Sequence, residues 1–336
     1  MRTLARLVAA LSIAVAMIVA SATSQAADKV NFILNWVPGA DHAPYFYARA
    51  QGWYEDAGLE VKIEPGKGSG MSSQRVGIGS NDLGIAELGT ALVAKSKGAD
   101  LVAVMNIYAK SPFAIYWLKS SGIRGPKDFV GKTIGNPPWD AARVMWPAFA
   151  KAVGIEPDSV KFVNISPQAK ITSLAAGVID ITTDFFNGHD VMLKAFGDDL
   201  GFVRWSEIGV NPYGNSIIVN GDFLKNNRDV VARFVAVTQR AFAACVADST
   251  PCINTLLKSS SGLDRADQFD QWSRVKEMMT DEFTTTIALG YLEPGRMQSD
   301  YELVDTYFEL EEPFDVNTAY TNEFLDKTIK MTRQGS

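Results

Sequence analysis

Short apolar runs alternate with stretches of helical spacing along most of the chain. "VNFILNW" is an uninterrupted apolar run and predicts a buried strand ending on Asn35-Trp36. "HAPYFYARAQGWYEDAG" follows with helical spacing and stops at Gly58. "LEVKIEPG" predicts a second strand, running into the glycine loop "GKGSG", the short helix "SSQRVGIG" and the strand of "NDLGIAELG". "TALVAKSKG" and "DLVAVMNIY" complete this first series as helix and strand. The series then restarts with the strand "GKTIGNPPW", the helix "DAARVMWPAFAKAVG" with Asp140 as N-cap, the strand "VKFVNIS", the helix "PQAKITSLAAG" and the strand "VIDITTDFF". Repeated strand–helix–strand units imply mostly parallel sheets covered by helices, an α/β fold. "PYGNSIIVNGDF" predicts a strand crossing back between the two series. The remainder is mainly helical, with "DVVARFVAVTQRAFAACV", "DRADQFDQWSRVKEMM" and "SDYELVDTYFEL" all helically spaced.

The two series match in kind. "NWVPGAD" and "NPPWD" each place Asn, Trp, Pro and Asp between first strand and first helix. "GSNDLGIAE" and "GVIDITTDF" each end an apolar strand on an acid, Glu87 and Asp184. Open α/β sheets bind ligands beyond the carboxyl ends of their strands. Asn35, Trp36, Glu87, Trp139 and Asp184 all stand at such ends, so a cleft between two lobes is expected there. Core packing of the tryptophans and solvent exposure of the acids are the competing readings. Phe185 and Phe186 point to opposite sides of their strand, so one ring faces the cleft.

The first residues read differently. Arg2 and Arg6, the apolar "LVAALSIAVAMIVA" and Ser24-Gln25-Ala26 form a signal-peptide pattern over residues 1–26, with a mature chain from Ala27. No later segment is read as long and apolar enough to span a membrane. The remaining residues, about 310, suffice for two domains. A net charge of −6 opposes binding to nucleic acid or to an anionic membrane. The two cysteines, Cys245 and Cys252, are expected to form a disulfide in an oxidising compartment.

Catalytic motifs are sparse. No G-x-S-x-G elbow, P-loop or H-E-x-x-H is present, and His42 and His189 are the only histidines. No His-Cys cluster suggests a metal site, and no cofactor or catalytic residue is expected. His42 reads as a helix-start residue that lines or caps a pocket.

"LNWVPGADHAPYFYARAQGWYEDAGLEVKI", "GSNDLGIAELG", "GKTIG" and "AAGVIDITTDFFN" resemble the periplasmic substrate-binding proteins of ATP-driven importers, in the branch serving nitrate, sulfonates, taurine and thiamine-pyrimidine precursors. The resemblance implies a two-lobed type II fold with two hinge crossings, lobe 1 being residues 28–112 plus 222–336 and lobe 2 residues 113–221. It implies a monomeric periplasmic receptor that closes on a small molecule and docks on an ABC permease whose ATPase is a separate chain. The first run leans toward the pyrimidine-precursor side. "DFFNGHD" is similar to an aromatic-Asn segment of those binders, with Phe186 and Asn187 in the matching places and Gly188 inserted before His189. Related pyrimidine synthases share the fold but carry a cysteine-rich run absent here. The expected ligand set is Asn35, Trp36, His42, Glu87, Trp139, Asp184, Phe186, Asn187 and Tyr213. Rings and acids favour an amino-pyrimidine-like or other aromatic heterocyclic ligand. Helix N-termini after Asp41, Ser69 and Asp140, with Lys67 and Arg143 close to two of them, leave open a sulfonate-type anion receptor. A synthase-like enzyme and a receptor that serves a sensor are further alternatives.

Overall fold

The computed structural model describes residues 26–308, 310 and 312–332. The expected leader falls almost wholly outside these residues. The structure contains two five-stranded mixed sheets with the same internal order. The first comprises β1 (Asp28–Ile33), β2 (Leu59–Glu64), β3 (Leu83–Glu87) and β4 (Leu101–Asn106), with β10 (Asn215–Asn220) inserted; its order is β2-β1-β3-β10-β4. The second comprises β5 (Phe113–Leu118), β6 (Thr133–Asn136), β7 (Lys161–Asn164), β8 (Ile181–Phe185) and β9 (Leu200–Arg204), ordered β7-β6-β8-β5-β9.

In each sheet one strand opposes the rest. β10 is antiparallel to β3 and β4, and β5 is antiparallel to β8 and β9. These are the strands by which the chain enters the second sheet and returns to the first. The intervening crossings, 107–112 and 205–214, lie side by side. Ile107 N–H donates to Asn215 O at 2.7 Å, Gly214 N–H to Tyr108 O at 2.8 Å and Ser111 N–H to Asn211 Oδ1 at 2.9 Å.

Two expected helices are broken. Gly52 takes φ +72°, a conformation costly for other residues, and separates Ala43–Ala50 from Trp53–Asp56. Pro147 cannot donate its nitrogen to the preceding turn, and the 140–154 helix splits into Ala141–Val144 and Trp146–Val153. The strands β5 and β9 and the helices His189–Phe196 and Ser249–Ser259 were not among the expected elements.

The expectation that no later segment has the length and apolarity of a span is corrected by the helix Arg228–Ala247, which has both. Its apolar residues, among them Val231, Phe234, Val235 and Phe242, are buried against Phe32, Tyr45 and Tyr54, which accounts for that apolarity. Cys245 on this helix is bonded to Cys252 on Ser249–Ser259. The helices Arg265–Met279 and Pro294–Phe308 each pack against elements of both sheets, the former on the turns Ala40–His42 and Phe186–Gly188. Arg274 reaches from the former to Asp190 in two bonds, of 2.9 and 3.1 Å.

Candidate ligand-binding site

A cavity of about 290 Å³ opens where the carboxyl ends of β1, β6 and β8 face one another. Its size is at the low end of ligand clefts, which run from about 300 to 1,000 Å³.

Asn35 and Trp36 leave β1 and enter the wall. Asn35 is held on both sides: its Nδ2 donates to Asn215 Oδ1 at 3.1 Å and its Oδ1 meets His42 Nε2 at 2.9 Å. Gly39 N–H donates to His42 Nδ1 at 3.1 Å, so the Nε2-protonated neutral ring satisfies both contacts. Burial lowers the His42 pKa, against a smaller opposing pull from Asp41. His42 therefore stands behind Asn35 and does not line the cavity.

From the second sheet come Asp140, Lys170, Asp184, Phe185 and Asn187. Asp140 caps its helix through Ala142 N–H at 3.0 Å and accepts from Lys170 Nζ at 2.9 Å. Lys170 also donates to Thr183 O at 2.7 Å and lies over the Trp36 ring. Burial works against its charge, but Asp140 and Asp184 outweigh it and the Lys170 pKa is raised. Burial raises the Asp184 pKa, partly countered by Lys170 and reinforced by Asp140. The charged side chains of the wall are thus Asp41, Asp140, Asp184 and Lys170, three acids and one cation.

Other expected site residues sit elsewhere. Glu87 is fully buried as the N-cap of Leu88–Lys95, accepting from Gly89 N–H (3.0 Å), Thr90 N–H (2.7 Å) and Thr90 Oγ1 (2.7 Å). Burial raises its pKa to about 7 despite those bonds. Phe186 lies behind the wall, stacked on His189 at 4.8 Å beneath the Arg204 guanidinium, and Phe185 faces the cavity instead. Tyr213 is buried in the return crossing, where its hydroxyl accepts Glu293 N–H at 3.1 Å. Trp139 is 40% exposed and outside the wall. Its carbonyl accepts Gly70 N–H at 3.2 Å, closing the second sheet's loop onto the glycine loop of the first.

Sequence reasoning missed Lys170, Gln268 and Gln271, and treated Asp140 only as a cap. Lys170 shares the buried face of its helix with Leu174, four residues on, a spacing that marks it as inward. Gln268 and Gln271 arrive from a C-terminal helix distant in sequence, with no local mark. Lys67 and Arg143 are not in the wall, and Arg143 Nη1 donates to Asn164 Oδ1.

Two sheets of equal order, joined by paired crossings around one cleft, define the fold of periplasmic solute-binding proteins. The alkanesulfonate-binding protein SsuA from Xanthomonas axonopodis pv. citri superimposes with a TM-score of 0.68 at 16% identity, covering 90% of this chain and 100% of that one. The aliphatic sulphonate binding protein SsuA of Escherichia coli does so with 0.65 at 13% identity, covering 93% and 96%. The chain belongs to the NMT1/THI5 like family, whose model matches residues 39–250. Among curated relatives it is 24% identical to the 4-amino-5-hydroxymethyl-2-methylpyrimidine phosphate synthase of Legionella pneumophila, over 91% of this chain and 95% of that one. It is 22% identical to the riboflavin-binding protein RibY of Chloroflexus aurantiacus, over 88% and 86%. It is 21% identical to the formylaminopyrimidine-binding protein of Halalkalibacterium halodurans, over 69% and 71%.

Proposed function

We propose that the protein is an extracytoplasmic receptor for a small, flat nitrogen heterocycle bearing an amino group, which it passes to an ABC permease served by a separate ATPase chain. The observation that carries this reading is the cavity wall: three carboxylates against one ammonium, with Trp36 and Phe185 beside them. Carboxylates accept from amino groups, at roughly 1.5–3 kcal/mol for a hydrogen bond to a charged group. Rings add about 0.5–1.5 kcal/mol per aromatic pair beyond burial. Two relatives are named for binding a formylaminopyrimidine and riboflavin, both nitrogen heterocycles. A dianion would meet Asp41, Asp140 and Asp184.

Lobe 1, residues 28–106 plus 215–336, and lobe 2, residues 113–204, close on the ligand by bending at 107–112 and 205–214; the expected lobe 2 boundary at 221 moves back because β10 pairs with β3 and β4 of the first sheet. The leader over 1–26 directs export.

A synthase is the second reading, favoured by the name of the Legionella relative. No histidine or cysteine lines the cavity, and both cysteines are bonded to each other. Dialysis against 4-amino-5-hydroxymethyl-2-methylpyrimidine, its formylamino relative and small alkanesulfonates, followed by mass determination of what is retained, tests these readings. Retention of an unchanged pyrimidine supports the receptor. A pyrimidine phosphate carried by the protein as purified, before any pyrimidine is added, supports the synthase, and retention of sulfonates alone overturns the heterocycle.

A further inference from the structure

Gln268 stands in the first turn of the helix Arg265–Met279, its N–H bonded to Asp264 O at 3.1 Å. The side chain lines the cavity and is 4% exposed. Its carboxamide makes no hydrogen bond to any described residue, and its Oε1 is sealed from solvent. Buried polar groups in native proteins almost always have partners, and this unpaired one lies just behind the cavity wall, where a rotation of the side chain would turn both amide atoms to a ligand. Whichever way the amide is turned, it offers one acceptor beside one donor.

A carboxamide of this kind takes adenine by two bonds, accepting from the exocyclic amino group and donating to the adjacent ring nitrogen. An aminopyrimidine presents the same edge. An ionised carboxylate accepts the amino hydrogen but repels the lone pair on a neutral ring nitrogen, so Asp41, Asp140 and Asp184 read both atoms only when protonated, whereas the amide does so without a proton. A sulfonate, all acceptors, would leave the amide oxygen unpaired. We propose that Gln268 determines specificity in this site by pairing with an amino group and an adjacent ring nitrogen of the ligand, an inference that rests on the heterocycle reading above. One internal competitor exists. Trp272 Nε1, one turn further along the helix, is also buried without a partner, and a rotation could bring it to the Gln268 oxygen.

The test is a cycle between side chain and ligand atom, read by calorimetric titration. The probes are 4-amino-5-hydroxymethyl-2-methylpyrimidine and its analogue with C–H in place of the ring nitrogen beside the amino group. The analogue is a 4-aminopyridine that carries a proton at neutral pH, which the acids of the wall favour in wild type and variant alike, so the change in preference is what is read. Gln268→Leu should lower the ratio of pyrimidine to analogue affinity by about 10-fold or more, the range of a bidentate base contact. An unchanged preference in Gln268→Leu overturns the proposal and assigns the amide to Trp272 or to packing. If Gln268→Leu does not fold by circular dichroism, the near-isosteric Gln268→Glu decides. Its preference should collapse above pH 7, where the carboxylate faces the ring nitrogen, and return toward acid; a wild-type preference at every pH overturns the proposal. Wild-type protein that binds neither probe but binds an alkanesulfonate removes the heterocycle reading and this inference together. Binding of the pyrimidine with no effect at Gln268 removes this inference alone.

Discussion

The Lys170 ammonium rests 4.9 Å from the centre of the Trp36 ring, across the cleft from the strand that carries that tryptophan. Its remaining donors go to Asp140 and Thr183 O, both on the second sheet. One side chain thus neutralises a buried acid and touches the opposite wall. A cation over an indole face is worth about 0.5–1 kcal/mol when exposed and about 2 or more when desolvated.

Lys170→Met should destabilise the protein by about 3–5 kcal/mol, because Asp140 loses its partner in a buried site. Lys170→Met with Asp140→Asn should recover most of that loss, since Asn keeps the cap on Ala142 N–H and carries no charge. Urea denaturation at pH 7 of the single and double variants reads the difference. Equal destabilisation of both would mean that packing, and not the charge, is what Lys170 supplies.

Asp300 illustrates a second buried acid, at the crossings. It accepts Tyr213 N–H at 2.9 Å, and burial raises its pKa to about 7, with Arg296 pulling it down and Glu87 pushing it up. The folded state therefore keeps this proton over a range in which the unfolded chain releases it. Stability from this group is greatest below its unfolded value of 3.8, falls as pH rises, and levels off above about 7. His42 and His189 have lowered pKa values and act in the opposite direction near pH 6. Only the difference between variants isolates Asp300. Asp300→Asn retains an acceptor for Tyr213 and should gain on the order of 2 kcal/mol relative to wild type between pH 4 and pH 8. A constant difference across that range would place the Asp300 pKa near its ordinary value.

The carboxyl-end placement of Asn35, Trp36 and Asp184 was legible because strand–helix alternation fixes which end of each strand meets a cleft. The phase at Phe185-Phe186 was not. A tight turn begins at Phe186, so strand alternation ends there and the rings divide between cavity and core. Glu87 misled for a related reason. β3 runs into the next helix without a loop, and the free N–H groups of that helix take the carboxylate. β5 was missed although "FAIYWL" is wholly apolar, since it begins the crossing and belongs to no strand–helix unit.

The disulfide joins two helices separated only at Asp248, whose side chain caps Thr250 N–H at 2.9 Å. The loop between the cysteines spans seven positions, and closing one this short removes about 2–3 kcal/mol of unfolded-chain freedom in the entropic account. Reduction should lower the urea midpoint accordingly. Alkylation of the unfolded, unreduced protein should add no mass; two added groups would show free thiols.

The glycine loop offers a way to separate closure from folding. A Cβ on Gly68 would lie 2.0 Å from Trp139 O, a backbone atom of the opposite loop, whereas a Cβ on Gly70 would meet the Trp139 ring at 3.3 Å and its carbonyl at 3.4 Å. The first contact is impossible without parting the loops; the second asks for a shift of a few tenths of an ångström. Gly68 also holds φ +132°, so Gly68→Ala adds backbone strain in this conformation. An opened cleft relieves the clash, and a ligand must then supply the energy to close it. Gly68→Ala should weaken binding by at least about 10-fold, the cost of a conformer little populated in the variant. Its scattering profile should stay expanded at a ligand concentration that compacts the wild type. Gly70→Ala should close and bind within a few-fold of wild type, and both variants should keep the wild-type unfolding free energy without ligand, from urea denaturation, to within about 1 kcal/mol. If Gly68→Ala closes and binds normally, the contact between the glycine loop and Trp139 does not limit closure, and the hinge must be sought away from this edge of the cleft.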